Sequence, residues 1–302
     1  MKPAAKWAGI SITFFGALLF STKAVLVKLA FRDIKIDVIS LLALRMLFSM
    51  PFFLLAAWWS SGEQNEQLNW RDWLTIFFLG MMGYYVSSWF DFKGLQYISA
   101  GLERLILFLF PSFTALINFF IFKQVLNKRQ RWALLLTYLG IAIAYYGEFH
   151  LDAANQNFFL GSFLVLICSI TYAIYMAGTG RVVKKVGVTR FTAYAMLSAT
   201  LGIFLHFSYT HTVSDVQIKG KMWLYGILLA IFATVLPSFL ISAGMKKIGS
   251  NNVAIVSSIG PVSTIFQAYI FLGEQLHTGQ ILGTLLVIAG VLLIGWKSSP
   301  AG

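Results

Sequence analysis

The chain has 302 residues, of which 58% are hydrophobic and 11% charged, and its formal net charge is +12. A soluble domain carries about 25% charged and roughly 45–50% apolar residues, so a mean hydropathy of +0.77 excludes burying this surface in one aqueous core. The positive charge would suit nucleic acid, but its placement along the chain, given below, removes the need for that partner.

A helix crosses the hydrocarbon core with about 20 mostly apolar residues, and ten such runs follow one another. The first, 8–30, is too long for a signal-peptide core and is read as a span. Lys23 lies inside it, roughly 10 Å from its outer end at 1.5 Å per residue. The second run, 37–59, holds Arg45 at a similar depth. The third, 72–91, gathers Tyr84, Tyr85 and Trp89 with Ser87 and Ser88, and closes on Asp91. The fourth, 97–122, has Glu103 and Arg104 near its outer end and Pro111 in its middle. The fifth is 131–147. The sixth, 158–180, contains Cys168, expected to be a small packing residue, and Tyr172 and Tyr175, which are three apart and share a face. The seventh, 190–209, carries His206, expected at the interface. The last three, 222–243, 251–272 and 279–296, include Pro237, Pro261 and Gln267. The connections are too short for a soluble catalytic domain.

An ionisable side chain inside a span costs roughly 2.5–3.5 kcal/mol on insertion scales. Lys23, Arg45, Asp91, Glu103 and Arg104 all fall in the outer part of the first half. Glu103 is expected to pair with Lys23 or Arg45, either as a site for which cargo or a proton competes or as a permanent structural ion pair. Glu103 and Arg104 are neighbours on a helix and about 100° apart, so both cannot point into one cavity. Arg45 reads as structural, and Asp91 as an interface residue near the membrane surface. Lys23 is the candidate for contacting a carboxylate or phosphate of the cargo, with pairing to Glu103 or Asp91 as the alternative. Tyr84, Trp89, Tyr172 and Tyr175 would give a cavity flat apolar contact and hydroxyls, or would simply pack. Gln267 needs a polar partner. Pro111 and Pro261 each remove a backbone hydrogen bond and are expected to break their spans.

With the N-terminus in the cytoplasm, the inner segments collect Lys2, Lys6, Arg71, Lys123, Lys128, Arg129, Arg131, Arg181, Lys184, Lys185, Arg190, Lys246, Lys247 and Lys297. The outer ones collect Arg32, Lys35, Lys93, Lys219 and Lys221. The positive-inside rule then favours cytoplasmic termini. Residues 98–144 align without gaps to 248–294, bringing Pro111 onto Pro261 and Gly140 onto Gly290. The chain therefore reads as two units, 1–147 and 148–302, of five spans each. An odd number of spans forces the copies into opposite orientations, the inverted-repeat architecture of many transporters. Glu103 and Arg104 align with Val253 and Ala254, so the symmetry is broken at the charges.

The stretches Gly16–Phe20 to Lys28, Ala43-Leu44-Arg45 and Gly94–Gly101, with Pro261, Leu272-Gly273-Glu274 and Gly290, resemble the EamA-type branch of the drug/metabolite transporter superfamily. Pro111 and Gln124 fit the same pattern in the first half, with Gln where the family usually has Glu. The resemblance covers about 8–296. It implies an all-α polytopic membrane protein, ten transmembrane helices as two inverted repeats around a central cavity, and movement of amino acids, drugs or other small metabolites, usually as export. No GxxxxGK[ST], HExxH or GxSxG motif is present, so the expectation is a secondary or facilitative transporter and not an enzyme. A lipid flippase, a channel and, less favoured, an intramembrane enzyme are the alternatives. No cofactor or metal is expected. The expected partners are a small-molecule substrate and the bilayer, the oligomeric state monomer or homodimer, and the location the bacterial inner membrane.

Overall fold

The computed structural model describes residues 3–60, 68–123, 128–151, 155–211, 220–257 and 259–295, and among these every regular element is helical. A chain in hydrocarbon must satisfy its own backbone groups, and a helix does so within one segment. Seven helical stretches are long and apolar enough to cross a membrane, and Gly260–Leu272 and Thr278–Gly290 are shorter apolar helices. The usual burial pattern is inverted. Phe15, Trp58, Trp59, Phe120 and Leu205 are exposed, whereas Lys23, Arg45, Asp91, Glu103 and Arg104 are buried.

The first half runs α1 (Pro3–Ile34), α2 (Val38–Ser60), α3 (Trp70–Gly80), α4 (Ser87–Gly94), α5 (Ala100–Leu107), α6 (Phe110–Phe122) and α7 (Lys128–Leu151). The second half runs α8 (Phe158–Val186), α9 (Val188–Thr210), α10 (Lys221–Ala230), α11 (Leu236–Ser257), α12 (Gly260–Leu272) and α13 (Thr278–Gly295). The alignment offset of the sequence is also the offset of the structure. A π turn, Met81–Val86, joins α3 to α4, and another, Ile231–Val235, joins α10 to α11. Pro111 and Pro261 each stand in the first turn of a new helix, where a missing N–H costs least. The helices they open end on left-handed residues, Lys123 (φ 53°) and Gly273 (φ 71°).

The packing exchanges the halves. α1 lies against α11 and α12, and α8 lies against α4 and α6; α2 pairs with α9, and α7 with α13. A twofold relation between the halves maps each of these pairings onto another or onto itself. The α7–α13 contact is close because Gly140 and Gly283 put only backbone at the crossing, so that a Cβ on either would strike the other's carbonyl oxygen. Hydroxyls from the opposite half reach the helix breaks: Ser169 Oγ donates to the Leu107 carbonyl at 3.2 Å, and Ser21 Oγ to that of Gly260 at 3.2 Å.

Two boundaries differ from the sequence reading. The third and eighth runs are not single helices: a π turn divides one into α3 and α4 and the other into α10 and α11. The expected break between the eighth and ninth runs is absent, since α11 continues through 244–250 to Ser257. In the first half the chain leaves the helix at the matching place because Ser99 caps α5, its side chain accepting from Leu102 N at 3.0 Å. Position 249 is Gly and offers no such cap. Gln124 lies outside the described residues.

Candidate functional site

Four helices of the first half converge on one buried cluster. Lys23 of α1 points across to α4, and its Nζ lies 2.6 Å from Asp91 Oδ2, with side-chain exposures of 9% and 0%. The pair is shielded from water and lipid, where attraction is strong but desolvation is costly. Asp91, expected as an interface residue near the membrane surface, is buried within the protein and paired. The rod continues past it to Gly94, and the π turn helps set which way its side chain points.

Glu103 of α5 is fully buried, with its carboxyl group against that of Asp91. Both Glu103 oxygens lack a hydrogen-bond donor among the described residues. The expected pairing of Glu103 with Lys23 or Arg45 is thus replaced by Lys23–Asp91, with Glu103 beside it. Cys168 of α8 is buried next to the same group.

Arg104 turns the other way, as adjacent helical residues must. Its Nε donates to Thr264 Oγ1 at 2.9 Å and its Nη2 to the Phe20 carbonyl at 3.0 Å, tying α5 to α12 and α1. Arg45 lies over the Phe92 ring, 5.0 Å from its centroid, and donates to Ser88 Oγ at 3.1 Å, while its Nε has no hydrogen-bond partner among the described residues. The positions 150 residues on from Arg45, Asp91, Glu103 and Arg104 are Ala195, Ile241, Val253 and Ala254, so the charges have no ionic counterpart.

The aromatic candidates divide into two groups. Tyr84 and Tyr175 meet through their hydroxyls at 2.9 Å, and Tyr172 packs against Tyr175 and Phe110. Trp89 belongs to a second group: the Tyr85 hydroxyl and His206 Nδ1 are 2.9 Å apart, and Trp89 lies 6.2 Å from the His206 ring. His206, expected at the interface, thus has aromatic partners on another helix. Its signal in the sequence was a lone imidazole on a span, which names no partner. Gln267 bonds Ser263 Oγ at 2.8 Å, one turn back on its own helix, and is not brought to the charges.

Sequence reasoning assigned no role to Glu274, which follows α12. Its carboxylate accepts from Ala100 N at 2.9 Å and Gly101 N at 3.3 Å, and lies 3.6 Å from Lys28 Nζ. Lys28 also donates to the Ile98 carbonyl at 2.7 Å. A carboxylate is favourable at a helix N-terminus, where amides lack partners and the dipole is positive. The helix so capped, α5, is the one that carries Glu103 and Arg104.

The EamA-like transporter family matches this chain twice, over residues 7–146 and 159–296. The chain is 27% identical over 294 residues to the uncharacterized transporter YcbK of Bacillus subtilis, covering 94% of this chain and 92% of that one. It is 23% identical over 292 residues to an uncharacterized transporter of Archaeoglobus fulgidus, covering 96% of each. A solved structure described only as a crystal structure of a protein superposes with a TM-score of 0.67 at 17% identity, covering 95% of this chain and 96% of that one. That likeness concerns the fold alone. Two repeats matched end to end and an inverted burial pattern lead to one conclusion: the chain belongs to the EamA-like transporter family and is a multi-pass membrane protein.

Proposed function

We propose that the protein is a secondary or facilitative transporter that exports a small amphipathic metabolite, an amino acid or a related compound, by alternating access across the bacterial inner membrane. In this reading ten spans form two inverted five-span repeats with both termini cytoplasmic. The common offset of the π turns and proline breaks, and the exchange of packing partners between halves, support the repeat. The bias of Lys and Arg among the loops supports the orientation.

The observation that carries the reading is the charge balance of the buried cluster. Among the described residues three cations, Lys23, Arg45 and Arg104, are buried in this region with two carboxyl groups, Asp91 and Glu103, and of the cations Lys23 is the one in direct ion contact, with Asp91. Such a site has more positive than negative charge to neutralise, and a carboxylate of the cargo would supply the difference. Lys23 is the exchanging cation: it leaves Asp91 for the incoming carboxylate and returns when cargo departs, so that each state has a partner for each charge. The aromatic group around Tyr84, Tyr172 and Tyr175 would receive an apolar side chain.

The test is saturable counterflow of a metabolite panel in liposomes, with Lys23→Gln and Glu103→Gln beside wild type and folding checked by gel filtration. Exchange of carboxylate-bearing solutes that is lost in Lys23→Gln supports the reading. Exchange restricted to cations and untouched by Lys23→Gln would overturn the assignment of cargo. Movement of labelled lipid, or unitary currents, without solute exchange would replace the transporter with a flippase or a channel.

A further inference from the structure

Where α2 ends, beside the turn between α8 and α9, two adjoining cavities open among α2, α9 and α11. One, of about 260 Å³, is lined by Ser60, Val186–Arg190 and Lys246. The other, of about 440 Å³, continues from it along Phe52, Leu55, Trp58, Trp59 and Phe239, and shares Ser60, Thr189 and Lys246 with the first. One end of this groove is basic and polar; the rest is apolar. Trp58 and Trp59 stand at its mouth and are largely exposed. Aromatic residues of this kind anchor at headgroup depth.

The basic end has the chemistry of an anion site. Arg190 keeps its Nε buried with no hydrogen-bond partner among the described residues, while its guanidinium lies over the Tyr194 ring. The first turn of α9 lines the same cavity, and its N-cap, Gly187, supplies no side-chain acceptor. The matching helix of the first half shows what such amides donate to: the Asp37 carboxylate, 150 residues earlier, accepts from Ile39 N at 3.0 Å and Ser40 N at 3.1 Å.

We propose that this groove binds one anionic phospholipid, its phosphate held by Arg190, Lys246 and the amides of residues 188–190, and one acyl chain laid along Phe52, Leu55 and Phe239. Charge complementarity selects the anionic lipid, and the apolar extension selects a lipid over a free phosphate. A basic pocket between helices at the cytoplasmic side is suited to such a headgroup, and the loops at this end are the Lys- and Arg-rich ones.

Native mass spectrometry of the intact chain, released from micelles doped with equal phosphatidylglycerol and phosphatidylcholine, tests the proposal. Wild type should retain one phosphatidylglycerol in preference to phosphatidylcholine. Arg190→Gln with Lys246→Gln should weaken that retention about thirty-fold, from the worth of a basic residue near an anionic surface, and Trp58→Ala with Leu55→Ala should lower retention of both lipids. Equal retention of the two lipids by wild type overturns the proposal without recourse to any variant. So does preference unchanged in a folded double variant, equal occupancy by glycerol 1-phosphate, or a dimer free of lipid on this face.

Discussion

Replacing Lys23 by Met removes the one cation in direct contact with Asp91 among the described residues and leaves two carboxyl groups buried near each other. At 2.6 Å the Coulomb attraction is about 6 kcal/mol for an effective dielectric of about 20, and much of it is offset by desolvation. Breaking a buried pair from one side nevertheless costs about 3–5 kcal/mol, because a charge is left without a partner. Asp91→Asn should be milder, at about half that cost, because Glu103 lies alongside and can receive Lys23 instead. Lys23→Met with Asp91→Asn should cost less than the sum of the two. Cys168 supplies the assay: it is the one cysteine in the chain, it is buried beside the cluster, and a fluorogenic maleimide reaches it only when the helices part. Its labelling in detergent should accelerate by about two to three and a half orders of magnitude for Lys23→Met, at about 1.4 kcal/mol per decade. An Asp91→Asn protein as labile as Lys23→Met, or strict additivity in the double variant, would refute the placement of Glu103 as the second acceptor.

Three further outcomes are expected. Glu274→Ala removes the acceptor at the start of α5 and should cost about 1 kcal/mol, as loss of a helix cap does, with Glu274→Gln intermediate; thermal unfolding in detergent measures both. Gly83→Ala places a Cβ into the Tyr175 ring, and overpacking of that kind costs about 1–3 kcal/mol; the same unfolding assay should show a lowered midpoint, partly rescued by Tyr175→Leu. Asp72→Asn breaks the pair with Lys185 at the start of α3, and because both groups meet solvent it should leave the unfolding midpoint unchanged within error.

The features legible in the sequence were local ones. Apolar runs, Pro111 and Pro261 act within one segment, so the offset that aligns the prolines also aligns the π turns and the helix ends. Partners across helices were legible only in part: Asp91 and Glu103 were both named for Lys23. That Asp91, rather than Glu103, takes Lys23 depends on the rotation of α4 relative to α1. A run of apolar letters does not encode that angle. The Tyr85–His206 contact joins residues 121 apart in the chain, and nothing near either residue announces the other. Glu274 was visible as a family motif, but its role as the cap of α5 needed the other half of the molecule. The missing break near 244–250 has the same origin. The interruption in the first half comes from Ser99 and Glu274 acting together, and Gly249 stands where Ser99 would have to be.

The π turn at Met81–Val86 amounts to one surplus residue in a helix. The Ser87 amide bonds back five residues, to the Met82 carbonyl. Deleting one residue there would restore α-helical continuity and turn everything beyond it by about 100° with a shift of about 1.5 Å. Asp91 would swing off Lys23, and α4 would present a different face to α8. The same surplus residue in the second half, before Leu236, aims Ile241 where Asp91 stands in the first. One backbone device thus serves both halves, and the residue at the position it aims decides whether that place carries a charge, as Asp91 does, or none, as Ile241 does.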